Sequence, residues 1–136
     1  MKTYRVFDHT ADMGIEVYGA TVDELFINGA HALFNLIADQ HHVQVMVERS
    51  ITAMGGDLSD LWVNFLRECL YLFHGEGLLI SDCAIVTMDH KQVTATLRGE
   101  AFDPLRHEIK QEIKAVTYHQ AAVRKTPRGW TGKVIF

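Results

Sequence analysis

Apolar residues recur along this chain in two rhythms, and the switches between them divide it into elements. Ile15 and Val17 alternate with Gly14, Glu16 and Tyr18. Together with Tyr4 to Phe7 they predict two short strands, joined by the polar bend Asp8-His9-Thr10-Ala11-Asp12. Thr21-Val22-Asp23-Glu24 then has the order of a capping box, and Val22, Phe26, Ala30, Leu33 and Ile37 follow at three- and four-residue spacing. A helix ending near Asp39 is predicted, weakened slightly by Asn28 and Gly29.

Val43, Val45 and Val47 alternate with Gln44, Met46 and Glu48, which reads as a strand with one buried face, stopped by Gly55-Gly56. Asp57 is an N-cap for a second helix. Its stripe of Leu58, Leu61, Trp62, Phe65, Leu66, Cys69, Leu72 and Phe73 is broad enough to be mostly buried, and His74-Gly75-Glu76-Gly77 ends it. Ala84, Val86 and Met88, then Val93, Ala95 and Leu97, alternate on either side of Asp89-His90-Lys91-Gln92 and predict a hairpin. After a break at Phe102-Asp103-Pro104, the stretches Glu112 to His119 and Ala121 to Arg124 are β-rich, and Thr126-Pro127-Arg128-Gly129 turns the chain into Trp130 to Phe136.

Two helices among several strands make an α+β domain, expected as two layers with the helices on one face of a mostly antiparallel sheet. No repeat, low-complexity segment or linker divides residues 1–136, so one domain is expected. With 48% hydrophobic residues, a chain of this length buries roughly two-thirds of its unfolded surface and needs no metal or disulfide merely to fold.

Charge narrows the function. Against 13 Lys and Arg stand 17 Asp and Glu, a net charge of -4, which disfavours direct grip on a phosphate backbone. Arg124, Lys125, Arg128 and Lys133 cluster near the C-terminus, where solvated charges that protect a sheet edge are the plainer reading. Cys69 and Cys83 have apolar neighbours and no zinc spacing, so they read as buried thiols. No secretory leader or membrane span is apparent, and a cytoplasmic setting is expected.

The chain lacks the glycine-rich phosphate loops, the nucleophile elbow, the zinc-helix motif and the calcium-hand loop. His41, His42, His31, His74, His90 and His107 read as structural or surface residues without a partner carboxylate at ligand spacing. His9 and His119 each lie among other polar candidates. Asp8, His9, Thr10 and Asp12 offer a hard cation some oxygen ligands, yet fewer than the six to eight Ca2+ wants, so from spacing alone an Asx-type turn is the plainer reading.

The run from Phe7 to Ile15, followed by Glu16-Val17-Tyr18-Gly19, resembles the opening signature of the archease family. Asp23 to Phe26, Ala30 to Ile37, Tyr71 to Phe73 with Glu76 to Leu79, and Gly99-Glu100 to Asp103-Pro104 with His107 resemble it at matching places. Glu112 to His119, with Gly129-Trp130 and Val134-Ile135-Phe136, is similar to its C-terminal half.

That resemblance implies a non-catalytic accessory protein that activates the RtcB-type RNA ligase, promoting its guanylylation and repeated turnover in tRNA splicing and RNA repair. RNA would be met only through the ligase. A general chaperone for RNA-modifying enzymes is the alternative. By the same resemblance Asp12 is a metal ligand, with Ca2+ the implied ion, and Asp8, His9, Asp12, Lys114 and His119 are expected to serve partner binding or activation. In the family an acidic residue follows the final Val-Ile-Phe and completes the metal site. This sequence stops at Phe136, and two outcomes stay open: its terminal carboxylate stands in as the second ligand, or the site is weakened or empty.

Overall fold

The computed structural model describes residues 2–9 and 12–136, the side chains of Asp8, His9 and Asp12 excepted. Thr10 and Ala11 of the polar bend lie outside the described residues. The elements run β1 (Tyr4–His9), β2 (Asp12–Gly19), α1 (Val22–Ile37), β3 (Val47–Met54), α2 (Leu58–His74), β4 (Leu78–Met88), β5 (Gln92–Ala101), β6 (Thr117–Thr126) and β7 (Gly129–Ile135).

The fold is α+β, as the pattern predicts, with its strands divided between two antiparallel sheets. One sheet has the order β1-β2-β7-β6 and the other β3-β5-β4. The helix pair serves both: α1 packs on β2 and β4, while α2 packs on β6 and β3.

Both helix starts follow local chemistry. Thr21 Oγ1 accepts the Glu24 N–H at 3.1 Å. Asp57 Oδ1 accepts the Asp60 N–H, and Asp60 Oδ2 reaches back to the Gly56 N–H, both at 2.8 Å. Asn28, an unpromising helix residue in isolation, ties α1 to the sheet by donating its amide to the Tyr18 carbonyl at 2.7 Å.

The core is drawn from every layer, with Phe26, Phe34, Trp62 and Phe65 fully buried alongside Ile15, Val17 and Leu97. Trp62 sits at its centre, between two glycines. A Cβ built on Gly132 of β7 would fall 2.8 Å from the indole Cζ2, and one on Gly29 of α1 would fall 2.6 Å from Cζ3. The ring also meets Phe26 edge-on at 5.3 Å and donates Nε1–H to the Lys133 carbonyl at 3.2 Å.

Two segments depart from the pattern. The strand expected from Val43 begins only at Val47, leaving Val45 57% and Met46 70% exposed. The reason is a distant carboxylate: the Gln44 N–H is taken by Glu100 Oε2 at 2.6 Å, so it makes no ladder bond. The β-rich stretch from Glu112 likewise becomes strand only at Thr117, because side chains of α2 hold the carbonyls before it.

Cys69 and Cys83 are free, buried thiols, as expected. Burial, aided by the charge of Asp82, pushes Cys83 up to about 12, and Cys69 is also raised, so both stay protonated. Of the C-terminal cluster, Arg124 and Lys125 lie on β6, the edge strand of its sheet, whereas Lys133 lies on the interior strand β7 and does not guard an edge. Among the described residues no helix is long and apolar enough to cross a membrane.

Candidate functional site

Strand register gathers the residues singled out from the sequence. Phe7 pairs with Gly14, Gly14 with Ile135, and Ile135 with Thr117, which makes one row across all four strands. Because neighbours are antiparallel, the residues after Phe7, before Gly14, after Ile135 and before Thr117 all leave at the same end. The backbones of Asp8, His9, Asp12, Phe136 and the segment bearing Lys114 therefore share that end. The Phe136 N–H donates to the Met13 carbonyl at 2.8 Å, one residue from Asp12.

Lys114 is presented by a clasp that sequence reading missed. His74 Nε2–H donates to the Ile113 carbonyl at 2.8 Å, and Arg67 Nε–H donates to the Val116 carbonyl at 2.9 Å. The Arg67 guanidinium also lies 4.2 Å over the Tyr118 ring, whose hydroxyl donates to Asn64 Oδ1 at 2.7 Å. Ile113 and Val116 are buried, whereas Lys114 and Ala115 between them are exposed. Asn64, Arg67, Tyr71 and His74 recur at three- and four-residue spacing on α2, a stripe that looks like a solvated helix face until its partner segment is known.

His119 is exposed in an irregular part of β6. There the strand runs from Thr117 to Ala122 opposite only Ile135 to Lys133, and Gln120 adopts φ +56°. It lies within β6 between the Thr117 and Ala122 rows, back from the shared end.

His107 does have a carboxylate partner, contrary to expectation. The Asp103 N–H donates to Nδ1 at 2.8 Å, which places the proton on Nε2, 3.2 Å from Glu100 Oε2 and 3.0 Å from the His42 carbonyl. Seven positions separate the two in sequence, and the turn through Pro104 folds His107 back onto Glu100. Arg106 adds a guanidinium hydrogen bond to the other carboxylate oxygen. This latch ties the chain around residues 42–44 to the segment after β5.

Burial alone would raise the Glu100 carboxyl. Hydrogen bonds from Arg106, the Gln44 N–H and His107, with the Arg106 charge, more than offset it and hold Glu100 below its ordinary value. Its ionised form thus stabilises the fold at neutral pH. That contribution persists down to the unfolded-state value of about 4.3 and is lost as pH falls through the lower folded-state value. Urea unfolding followed from pH 7 to pH 3 should show this acid loss, and Glu100→Gln should be less stable at pH 7 yet lose less below pH 4.5.

Among the described residues no three His, Cys, Asp or Glu side chains converge as a metal cluster. The concavities are open at the surface, one between α2 and Ala115–Val116 and another on the outer face of the four-stranded sheet. Such a fold, with its polar groups carried on an outer end, defines a small α+β protein organised around its surface.

The comparisons with known proteins name the group. The Archease protein family (MTH1598/TM1083) model matches residues 4–136, and the chain belongs to the archease family. It is 39% identical to the protein archease of Pyrococcus furiosus, covering 99% of this chain and 98% of that protein. Against the protein archease of Methanosarcina mazei it is 36% identical, covering 98% and 94%. The solution structure of Methanobacterium thermoautotrophicum protein 1598 superposes with a TM-score of 0.84 at 29% identity, over 100% of this chain and 99% of that one. The fold is also shared with a Thermotoga maritima archease described as a possible chaperone, with a TM-score of 0.62 at 19% identity over 96% and 93% of the chains.

Proposed function

We propose that this protein is an accessory activator of the RtcB-type RNA ligase, acting in the cytoplasm. It promotes attachment of GMP to the ligase and supports repeated turnover, while the nucleotide chemistry belongs to the partner. The observation that carries this reading is the shared end of the four-stranded sheet, where the backbones of Asp8, His9, Asp12, Phe136 and the clasped Lys114 segment come together. A patch of this kind assists a partner by binding its productive state better than its resting state. Lys114 steadies a phosphate or an acidic group of the ligase, with Asp8, His9 and His119 as neighbouring contacts.

A divalent cation fits the donor chemistry of this end. Asp12 and the terminal carboxylate of Phe136 would hold it, since carboxylate oxygens are hard donors of the type Ca2+ takes and the two backbones are neighbours where the Phe136 N–H meets the Met13 carbonyl. Since Ca2+ wants six to eight oxygens, water or the partner supplies the rest. Bound there, the cation would fix the polar end and offer positive charge to a phosphate.

The deciding experiment mixes the protein with its cognate ligase, GTP and Mn2+ or Mg2+, and follows GMP attachment to the ligase over time. Acceleration that grows with the amount of this protein is expected. No acceleration at any ratio sinks the reading. A second reading, a general chaperone or protein-binding module, draws support from exposed apolar residues in the loops, Met46 at 70% and Leu105 at 95% exposure. It requires that substitutions at Met46 or Leu105 matter more than substitution of Lys114.

A further inference from the structure

The outer face of the four-stranded sheet carries a concavity of about 460 Å³ lined by Glu16, Gln120, Ala122, Arg124, Thr131 and Lys133. Register accounts for its composition. Arg5, Glu16, Lys133 and Ala122 form one row and Tyr18, Thr131 and Arg124 the next on this face, while the single row between them, Tyr4, Val17, Gly132 and Val123, faces the core. The irregular stretch of β6, with Gln120 held at φ +56°, bows that strand out and makes the floor concave.

Three cations on this face meet one carboxylate among the described side chains. Glu16 sits directly across from Lys133, yet its Oε1 is taken by the Tyr18 hydroxyl at 2.8 Å and by Arg5 at 3.5 Å. The Lys133 amine turns instead to Gln120 Oε1 at 3.3 Å and lies 5.1 Å over the Phe7 ring. The Arg124 side chain makes no ion pair or hydrogen bond among the described residues. Lys133 and Arg124 are thus left as paired cations without an anion, on a chain whose net charge is -4.

We propose that this groove is the docking site for an acidic segment of the partner protein, which on the reading above is the ligase. A guanidinium fork and an ammonium on neighbouring rows match two carboxylates of an extended acidic peptide. A nucleic acid fits less well: its phosphates continue beyond the groove and meet a net-negative molecule within a Debye length of about 8–10 Å. The groove also borders the Phe7 to Thr117 row. A segment seated in it therefore brings the partner up to the end that carries Lys114.

Docking and activation separate in a titration. GMP attachment to the ligase is measured against increasing wild-type protein, Arg124→Glu, Lys133→Glu and Lys114→Ala. Each charge reversal should raise the half-saturating concentration at least tenfold and leave the plateau rate intact. Lys114→Ala should lower the plateau with little change in half-saturation. Added salt should weaken half-saturation for wild type more than for Arg124→Glu. Unchanged half-saturation in both reversal variants overturns the docking site. If wild type gives no acceleration, the functional reading falls, and calorimetric titration of the ligase still decides the groove: weaker binding by Arg124→Glu upholds it and equal binding removes it. Tight, salt-sensitive binding of a single-stranded RNA oligonucleotide that Arg124→Glu abolishes would replace the acidic peptide by nucleic acid.

Discussion

Lys114→Ala should leave the protein as stable as wild type and lower the plateau rate of ligase guanylylation roughly 10- to 150-fold. The first half follows from what the side chain does not touch. Lys114 is exposed, and among the described residues it makes no hydrogen bond or ion pair, so its removal should shift stability by no more than about 0.5 kcal/mol. Neither carbonyl held by the clasp belongs to residue 114, so the segment keeps its path. The second half follows from what the amine would meet in the partner. A hydrogen bond to a charged group is worth about 1.5–3 kcal/mol, and each 1.36 kcal/mol lost in the transition state is tenfold in rate. Thermal unfolding and the guanylylation time course check the two halves separately. Normal activation by a folded Lys114→Ala protein would remove this residue from the mechanism.

Trp62→Ala should destabilise the fold by about 3–5 kcal/mol, the usual cost of deleting a large buried aromatic. Its melting temperature should fall by on the order of 10 °C or more. The high value is expected because the cavity cannot collapse readily. On two sides the indole rests on glycines, Gly29 and Gly132, which have no side chain to move into the space. The Lys133 carbonyl also loses its indole donor. Trp62→Phe keeps most of the volume and should cost clearly less. Urea unfolding of the two variants measures the difference, and a cost below about 1 kcal/mol for alanine would show that neighbouring side chains close the gap after all.

What the sequence made legible was the local part of this design. The caps at Thr21 and Asp57, both helical stripes and the hairpin at Asp89 to Gln92 are each specified within a few residues, and the structure has them all. Where the pattern misled, a remote side chain had captured the backbone: Glu100 took the amide of Gln44, while Arg67 and His74 took the carbonyls of Val116 and Ile113. Alternation tells which face of a strand is buried and not which strand lies beside it, so the division into two sheets was out of reach. The candidate site was split in the same way. Asp12 and Lys114 came from family resemblance, because as isolated residues a turn aspartate and a surface lysine carry little signal. The clasp and the pairing of His107 with Glu100 needed coordinates, since their members look like ordinary polar residues until the chain folds back on itself.

The order of strands has a consequence for synthesis. The four-stranded sheet is built only from the first and last stretches of polypeptide, β1 and β2 with β6 and β7, whereas the three-stranded sheet comes from the middle. Its pairings span most of the chain, a topology that closes late and slowly. A ribosome that has made about three-quarters of the molecule has produced both helices and all three strands of the smaller sheet, but β2 still has no neighbour on its β7 side. Nascent or prematurely terminated products therefore lack the β2–β7 pairing that gathers this end, and on the proposed reading they would not activate a partner.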